Sequence, residues 1–234
     1  MARNLSTTQV LYRIAQAMRR KRPLSLVRIG DGENIVLAQK SVWPLSKVMR
    51  QTWAVMAKRG QKGIPFPNIK LRNDLVRSIR RSTIVGILPL NDRMIYAPQY
   101  LKRRLTNQVF NHFKLKPQVT CHACVNRIAV RKSLFRQILR GKRILVINRS
   151  PSTIKKLLEN NPYNLRVTAT IPFSHYRQTY RTLRRAKTLK NRFDIALISC
   201  GVNAVTLAPK IAAATGKVAI DFGKAPKKMR KLSR

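Results

Sequence analysis

The chain has 234 residues, 44% of them hydrophobic, and its 50 Lys and Arg outnumber 7 Asp and Glu to give a formal net charge of +43. This length and apolar content suit one folded α/β domain and exclude a disordered chain. No apolar stretch is long enough to cross a bilayer, so we expect no membrane span. Three cysteines are too few for a disulfide framework, which favours a cytoplasmic protein.

The positive charge indicates a polyanion as a partner but does not identify it. Nucleic acid, anionic lipid, acidic polymers and diphosphate-linked sugars are all attracted by such a field. Because Lys and Arg are spread along the whole chain, a general bias in composition explains the charge equally well. Peripheral contact with an anionic membrane, at its inner face, stays open.

Residues 1–23 predict an amphipathic helix, at about 5–20, without the pattern of a signal peptide. Short β-branched runs then predict six buried strands, at 24–29, 82–90, 142–148, 166–173, 193–200 and 217–222. Further helices are predicted at about 32–40, 46–58, 70–80, 98–113, 150–159, 175–190 and 203–215. This alternation predicts a single α/β domain with a mostly parallel sheet flanked by helices, Rossmann-like in its second half.

Two segments fall outside this regular pattern. Residues 58–68 form a loop rich in Gly and Pro, and we interpret it as a possible lid. Residues 224–234 predict a basic, mobile C-terminal tail.

The turn after the first predicted strand is the sharpest candidate site. Ligands of open α/β sheets bind beyond the carboxyl ends of the strands, and Gly30, Asp31, Gly32 and Glu33 lie there. Two of only seven acids fall in this turn, although turn and helix-capping chemistry is an alternative explanation. Two carboxylates suit Mg²⁺ or Mn²⁺ bound together with a diphosphate. The preceding Arg28 is a candidate to bind phosphate or to pair with these carboxylates.

Other candidates follow later strands. Gly201 directly follows the strand at 193–200 and Asn148 ends the strand at 142–148, so both are candidates for binding nucleotide or phosphate. Asn126 and Arg127 open a predicted helix in the middle of the chain and are further candidates for binding the donor.

Two more acids are candidates for the general base. Asp92 and Asp221 each follow or end a strand, so either could take a proton from an acceptor hydroxyl. Asp194 begins its strand and belongs at the opposite edge of the sheet. The Cys121–Cys124 spacing suggests zinc, but no second ligand pair accompanies it, which favours buried thiols.

Several segments resemble the GT-D glycosyltransferases, a family once called a domain of unknown function. They are LVRIGDGE, HACVNR, GKRILVIN and FDIALISCGVNAVTLAPKIAAATGKVAIDFG, and the resemblance runs over about residues 24–223. It implies a single GT-D type domain that moves a hexose from a UDP-type nucleotide-sugar to a glycan, glycoprotein or polymer. In that family an Asp-x-Glu pair binds the metal that meets the donor diphosphate, which implies this role for Asp31 and Glu33.

A basic nucleic-acid-binding protein without catalytic activity is the main alternative. Its signatures are missing: the sequence has no aromatic ribonucleoprotein string, no paired-ligand zinc finger and no basic region with heptads, and only 6% of residues are aromatic. We therefore expect no specific nucleic acid partner. A dinucleotide-binding enzyme is also disfavoured, because no G-x-G-x-x-G follows the first strand.

Overall fold

The computed structural model describes residues 2–232 and contains one eight-stranded sheet in which every strand pairing is parallel. The strands are β1 (Arg3–Leu5), β2 (Leu24–Ile29), β3 (Ile84–Ile87), β4 (Val119–His122), β5 (Arg143–Asn148), β6 (Arg166–Pro172), β7 (Ile195–Ser199) and β8 (Val218–Asp221). Their order across the sheet is β1-β4-β3-β2-β8-β7-β5-β6. The predicted Rossmann-like class with a mostly parallel sheet is confirmed.

Twelve α-helices within the described residues cover the two faces of the sheet. They are α1 (Thr7–Arg19), α2 (Asp31–Ala38), α3 (Leu45–Met49), α4 (Thr52–Lys58), α5 (Ile69–Arg80), α6 (Arg103–His112), α7 (Val125–Ala129), α8 (Ser133–Leu139), α9 (Pro151–Glu159), α10 (Thr179–Thr188), α11 (Asn203–Thr215) and α12 (Ala225–Leu232). Helices α1, α7, α8, α9 and α12 pack on one face, and the other seven pack on the opposite face. None of the described helices is long and apolar enough to cross a membrane.

The strands alternate their side chains between two apolar cores. In β5, Ile144 and Val146 face one core, whereas Leu145 and Ile147 face the other. Because both faces are covered by helices, such strands read as continuous apolar runs, which is why the sequence reveals them.

The six predicted strands are present, but the sequence misses β1 and β4. These strands have three and four residues and are partly polar, so neither forms an apolar run. The predicted helix at 46–58 is divided into α3 and α4, because Gln51 between them has an extended backbone. The predicted helix at 98–113 begins as a 3₁₀ turn before α6.

The C-terminal segment is not the mobile tail that the sequence predicts. Residues Ala225–Leu232 form α12, whose Ala225, Pro226 and Met229 are buried against the sheet's helical layer. Apolar contact at one face therefore fixes this basic segment. Residues 233 and 234 lie outside the described part of the chain.

The loop at 58–68 is anchored in a way that does not support a lid. Ile64 and Phe66 are buried. The carbonyl oxygen of Gly63 accepts hydrogen bonds from the Tyr176 backbone N–H at 2.8 Å and from Asn203 Nδ2 at 3.1 Å. The loop is thus fixed against the start of α11.

Candidate functional site

A cavity of about 600 Å³ lies at the carboxyl ends of β2, β5 and β7. Seven of the predicted site residues line it, namely Arg28, Gly30, Asp31, Glu33, Arg127, Asn148 and Gly201. Helices α2, α9 and α11 begin at this cavity because each follows one of these parallel strands. Three helix N-termini therefore make the cavity favourable for an anion.

The turn between β2 and α2 is shaped by two glycines. Glu33 Oε2 accepts a hydrogen bond from the Gly30 backbone N–H at 2.9 Å at the start of α2, which is one half of a capping box, since Gly30 has no side chain to supply the other half. A Cβ atom at Gly30 would lie 3.2 Å from that same oxygen, and one at Gly32 would lie 2.6 Å from Trp53 Nε1. Glycine at both positions lets the helix start close to the carboxylate and to the indole.

Asp31 and Glu33 differ from the other acids because neither forms a salt bridge within the described residues. Each of the other five acids forms a salt bridge within residues 2–232: Asp74, Asp92, Glu159, Asp194 and Asp221. No Lys, Arg or His in the described chain forms one with Asp31 or Glu33, although the sequence holds 50 Lys and Arg. The cavity therefore holds the two carboxylates that form no salt bridge in the described chain.

The environment of Glu33 disfavours its ionised form. Burial, followed by the negative charges of Asp221 and Asp31, raises the pKa of Glu33 to about 7. Arg28 and the N–H of Gly30 act in the opposite direction. A cation bound here would favour the ionised carboxylate and lower this pKa.

Arg28 is held by a buried pair beneath the cavity. Its Nη2 lies 2.8 Å from Asp221 Oδ1, its Nε donates to the Asp221 carbonyl at 3.0 Å, and its Nη1 donates to the Ala123 carbonyl at 3.2 Å. A Cβ atom at Gly223 would overlap the guanidinium, so the chain passes very close to it. Asp221 is 1% exposed and does not line the cavity, which does not support the predicted base role.

Asn126 and Arg127 are neighbours in sequence but differ in position. Asn126 is buried, donates from Nδ2 to the Phe222 carbonyl at 2.6 Å and accepts from Arg28 Nη1 at 3.3 Å. It supports Arg28 and does not line the cavity. Arg127 lines the cavity, and its Nη1 donates to the Met94 carbonyl at 3.1 Å.

Asn148 and Gly201 both line the cavity, as predicted from their places after β5 and β7. Asn148 Nδ2 donates to the Ser199 carbonyl at 2.5 Å, and its Oδ1 accepts from the Ser150 backbone N–H at 2.9 Å. Gly201 has a φ of 57°, in the left-handed region that favours glycine. These residues shape the floor of the cavity beside the start of α9 and α11.

Asp92 lies away from the cavity and is 2% exposed. Its Oδ2 lies 3.3 Å from Lys102 Nζ and accepts from the Ile95 backbone N–H at 2.9 Å. His122 Nε2 lies 4.0 Å from its Oδ1. A carboxylate buried in this way is not accessible to an acceptor hydroxyl in the cavity, which does not support its predicted base role.

The sequence gives no signal for several residues that line the cavity. Trp53 comes from α4, and Lys62 comes from the 58–68 loop. Lys224, Lys227 and Arg230 come from the segment that the sequence predicts to be a tail. The packing of α12 brings these three residues to the cavity.

Comparisons with known proteins agree with this architecture. A family model described as a GT-D fold-like domain matches residues 5–229. A selenomethionine-substituted structure of domain of unknown function 1792 is 16% identical, with a TM-score of 0.63, and the match covers 99% of this chain and 81% of that chain. No curated protein matches the chain significantly.

Two further solved structures are similar. One is described as domain of unknown function 1792 with a distinct glycosyltransferase fold; it is 15% identical with a TM-score of 0.62, covering 99% of this chain and 81% of that chain. The other is described as a new glycosyltransferase of that domain from Streptococcus sanguinis; it is 15% identical with a TM-score of 0.61, covering 99% of this chain and 85% of that chain. Because the family match spans nearly all of its sequence, this chain belongs to the GT-D-like family, and that membership indicates a glycosyltransferase.

Proposed function

We propose that this chain moves a hexose from a nucleotide-sugar, a UDP-sugar, to a glycan, glycoprotein or polymer acceptor with the help of a divalent metal. The observation that carries the proposal is the pair of carboxylates, Asp31 and Glu33, which form no salt bridge in the described chain and line a cavity at three helix N-termini. A nucleic-acid-binding role is not favoured, because the fold is that of a glycosyltransferase.

The donor set fits Mn²⁺ or Mg²⁺ held jointly with a diphosphate. Carboxylate oxygens are hard ligands, and such cations commonly take one or two from the protein and complete their shell with phosphate and water. Within residues 2–232 no group of three or more His, Cys, Asp or Glu side chains converges, so Asp31 and Glu33 would be the only carboxylate ligands. The bound cation would stabilise the charge that develops on the leaving diphosphate.

The chain's own residues have distinct tasks in this proposal. Arg149 and Lys62 at the rim would bind donor phosphates, and the N-termini of α9 and α11 would favour the same negative charge. Trp53 lines the cavity beside Gly32 and would provide an aromatic ring for contact with the nucleobase or sugar. Arg28, fixed by Asp221, keeps positive charge beneath the reacting groups.

The proposed setting is the cytoplasm. The three cysteines are free thiols in the structure, in keeping with that setting. Contact with an anionic membrane remains part of the proposal, supported by the exposed Met94 and Tyr96 on a loop whose Met94 lies beside Arg127.

Calorimetric binding of UDP with and without Mn²⁺, in about 0.3 M salt to screen general phosphate attraction, tests the donor site. Glu33→Gln keeps an oxygen for the Gly30 N–H but removes the charge, so we expect it to abolish the metal-dependent part of UDP binding. Glu159→Gln removes one charge far from the cavity and serves as the matched control. UDP binding that ignores both Mn²⁺ and Glu33 would overturn the metal site.

A further inference from the structure

The rim of the cavity carries more positive charge than a diphosphate donor can offset. Six cations line it without a salt bridge to any acid in residues 2–232, namely Lys62, Arg127, Arg149, Lys224, Lys227 and Arg230. Interfaces for charged ligands are complementary in potential. Unpaired Lys and Arg occur throughout this chain, so it is the grouping of six of them around one cavity that suits a second anionic ligand next to the donor.

Two of these ammonium groups, those of Lys62 and Lys224, line the same cavity. The pKa of Lys62 is lowered, first by partial burial and then by the positive charge of Lys224, whereas the negative charge of Asp31 acts in the opposite direction. These residues come from the 58–68 loop and from the turn before α12, so two separate segments direct like charges to one edge of the cavity. An anion bound between them would relieve this repulsion.

Helix α12 carries basic side chains that line two different depressions. Its buried Ala225 and Met229 contact α7 and α9 and fix its orientation. With that face buried, Lys227 and Arg230 line the donor cavity, whereas Lys228 lines a neighbouring groove. Basic residues of α12 thus line both the donor cavity and the neighbouring groove.

The neighbouring groove has a volume of about 450 Å³ and is lined by Met94, Arg127, Ile128, Arg131, Lys132 and Lys228. Arg127 lines both the groove and the donor cavity, so the two depressions join at its side chain. Its Nε is buried and has no hydrogen-bond partner in the described chain, although its Nη1 is held by the Met94 carbonyl. The cations therefore form one continuous track that leads away from Asp31 and Glu33.

We propose, building on the function proposed above, that the acceptor is a glycan chain with repeating phosphodiester groups that runs across Arg127 into the groove of Arg131, Lys132 and Lys228. A chain fits better than a single phosphate because the cations continue beyond the donor cavity. A glycan fits better than single-stranded nucleic acid because no aromatic ring lines this groove, and bound bases stack on such rings.

Fluorescence anisotropy with a labelled glycerol-phosphate oligomer, in about 0.2 M salt, tests the track. The groove variant is Arg131→Gln/Lys132→Gln/Lys228→Gln. Its control is Arg19→Gln/Arg20→Gln/Arg22→Gln, which removes the same charge from exposed residues at the amino end of β2, the edge opposite the cavity. Each exposed ion pair contributes roughly threefold to affinity, so we expect the groove variant to bind about 30-fold more weakly and the control less than about twofold.

Three results would overturn the acceptor assignment. Equal weakening in both variants would mean that the total charge alone holds the polymer. Binding no tighter than that of a labelled neutral dextran oligomer would remove the need for a phosphodiester chain. Groove-dependent binding of poly(U) at higher affinity than the glycerol-phosphate oligomer would assign the groove to nucleic acid.

A parallel titration of Mn²⁺ and UDP separates this inference from the proposed function. The three substituted residues line the groove and do not include Asp31 or Glu33. We therefore expect the groove variant to bind UDP and Mn²⁺ as the wild type does. If the wild type binds UDP with Mn²⁺ but not the oligomer, only the acceptor assignment fails. If it binds the oligomer through the groove but not UDP, the donor proposal fails instead.

Discussion

Replacing Glu33 with Gln should stabilise the free protein, and the gain should depend on pH. Burial and the neighbouring charges of Asp221 and Asp31 raise the pKa of Glu33 from its ordinary 4.5 to about 7. A carboxyl group with a raised pKa in the folded state contributes stability below its unfolded pKa and loses it as the pH rises through the folded value. At pH 8 the ionised Glu33 therefore costs about 3 kcal/mol, whereas near pH 4 it costs almost nothing.

Urea unfolding of the wild type and Glu33→Gln at pH 4 and pH 8, without metal or nucleotide, measures this difference. Gln keeps an acceptor for the Gly30 N–H, so this hydrogen bond is preserved and the loss of charge is isolated. Glu159→Gln controls for the general loss of a negative charge from a very basic chain. Glu159 forms a partly exposed pair with Lys155, so we expect a change below about 1 kcal/mol at both pH values. A gain for Glu33→Gln that is equal at both pH values, or absent at pH 8, would refute the electrostatic account of the site.

Three further substitutions, one of them with a matched control, test the framework around the cavity by urea unfolding. Asp221→Asn should lower the free energy of unfolding by about 3 kcal/mol because it leaves a buried guanidinium without its carboxylate. The control Asp194→Asn, at a partly exposed pair, should lower it by less than about 1 kcal/mol. Equal losses would contradict the role of burial. Met229→Ala should cost about 2–4 kcal/mol because α12 is packed, and no loss would mean that the segment is a tail after all. Gly32→Ala should cost about 1–3 kcal/mol, since its Cβ would lie 2.6 Å from the Trp53 indole; a neutral result would mean that the indole moves freely.

The parallel sheet and the β2–α2 turn could be predicted because both leave local signals. Strands covered on both faces read as apolar runs, and Asp31 with Glu33 stands out in a chain that has only seven acids. Short edge strands leave no such signal. Asp221 pairs with Arg28, which lies 193 positions away in the sequence, so no local pattern indicates that the Asp221 carboxylate is already bound by a guanidinium.

The basic residues of α12 that line the cavity could not be predicted for a different reason. In α12 the buried positions are Ala225, Pro226 and Met229, too few for a helical period to be recognised among lysines and arginines. Its cations become informative only once packing fixes which ones face the cavity. Trp53 likewise gives no sequence signal, because its importance comes from its contact with Gly32.

The distribution of unpaired charge explains why metal and diphosphate should bind together. Unpaired cations at the rim repel a free divalent metal, and the unpaired carboxylates of Asp31 and Glu33 repel a free diphosphate. A complex of the two presents a cation to the carboxylates and anions to the rim, so each partner strengthens binding of the other, and the coupling must be reciprocal. In the proposed site, a chain with a formal charge of +43 would keep a place for a cation by leaving two acids without a salt bridge and surrounding them with groups that would bind the accompanying anion.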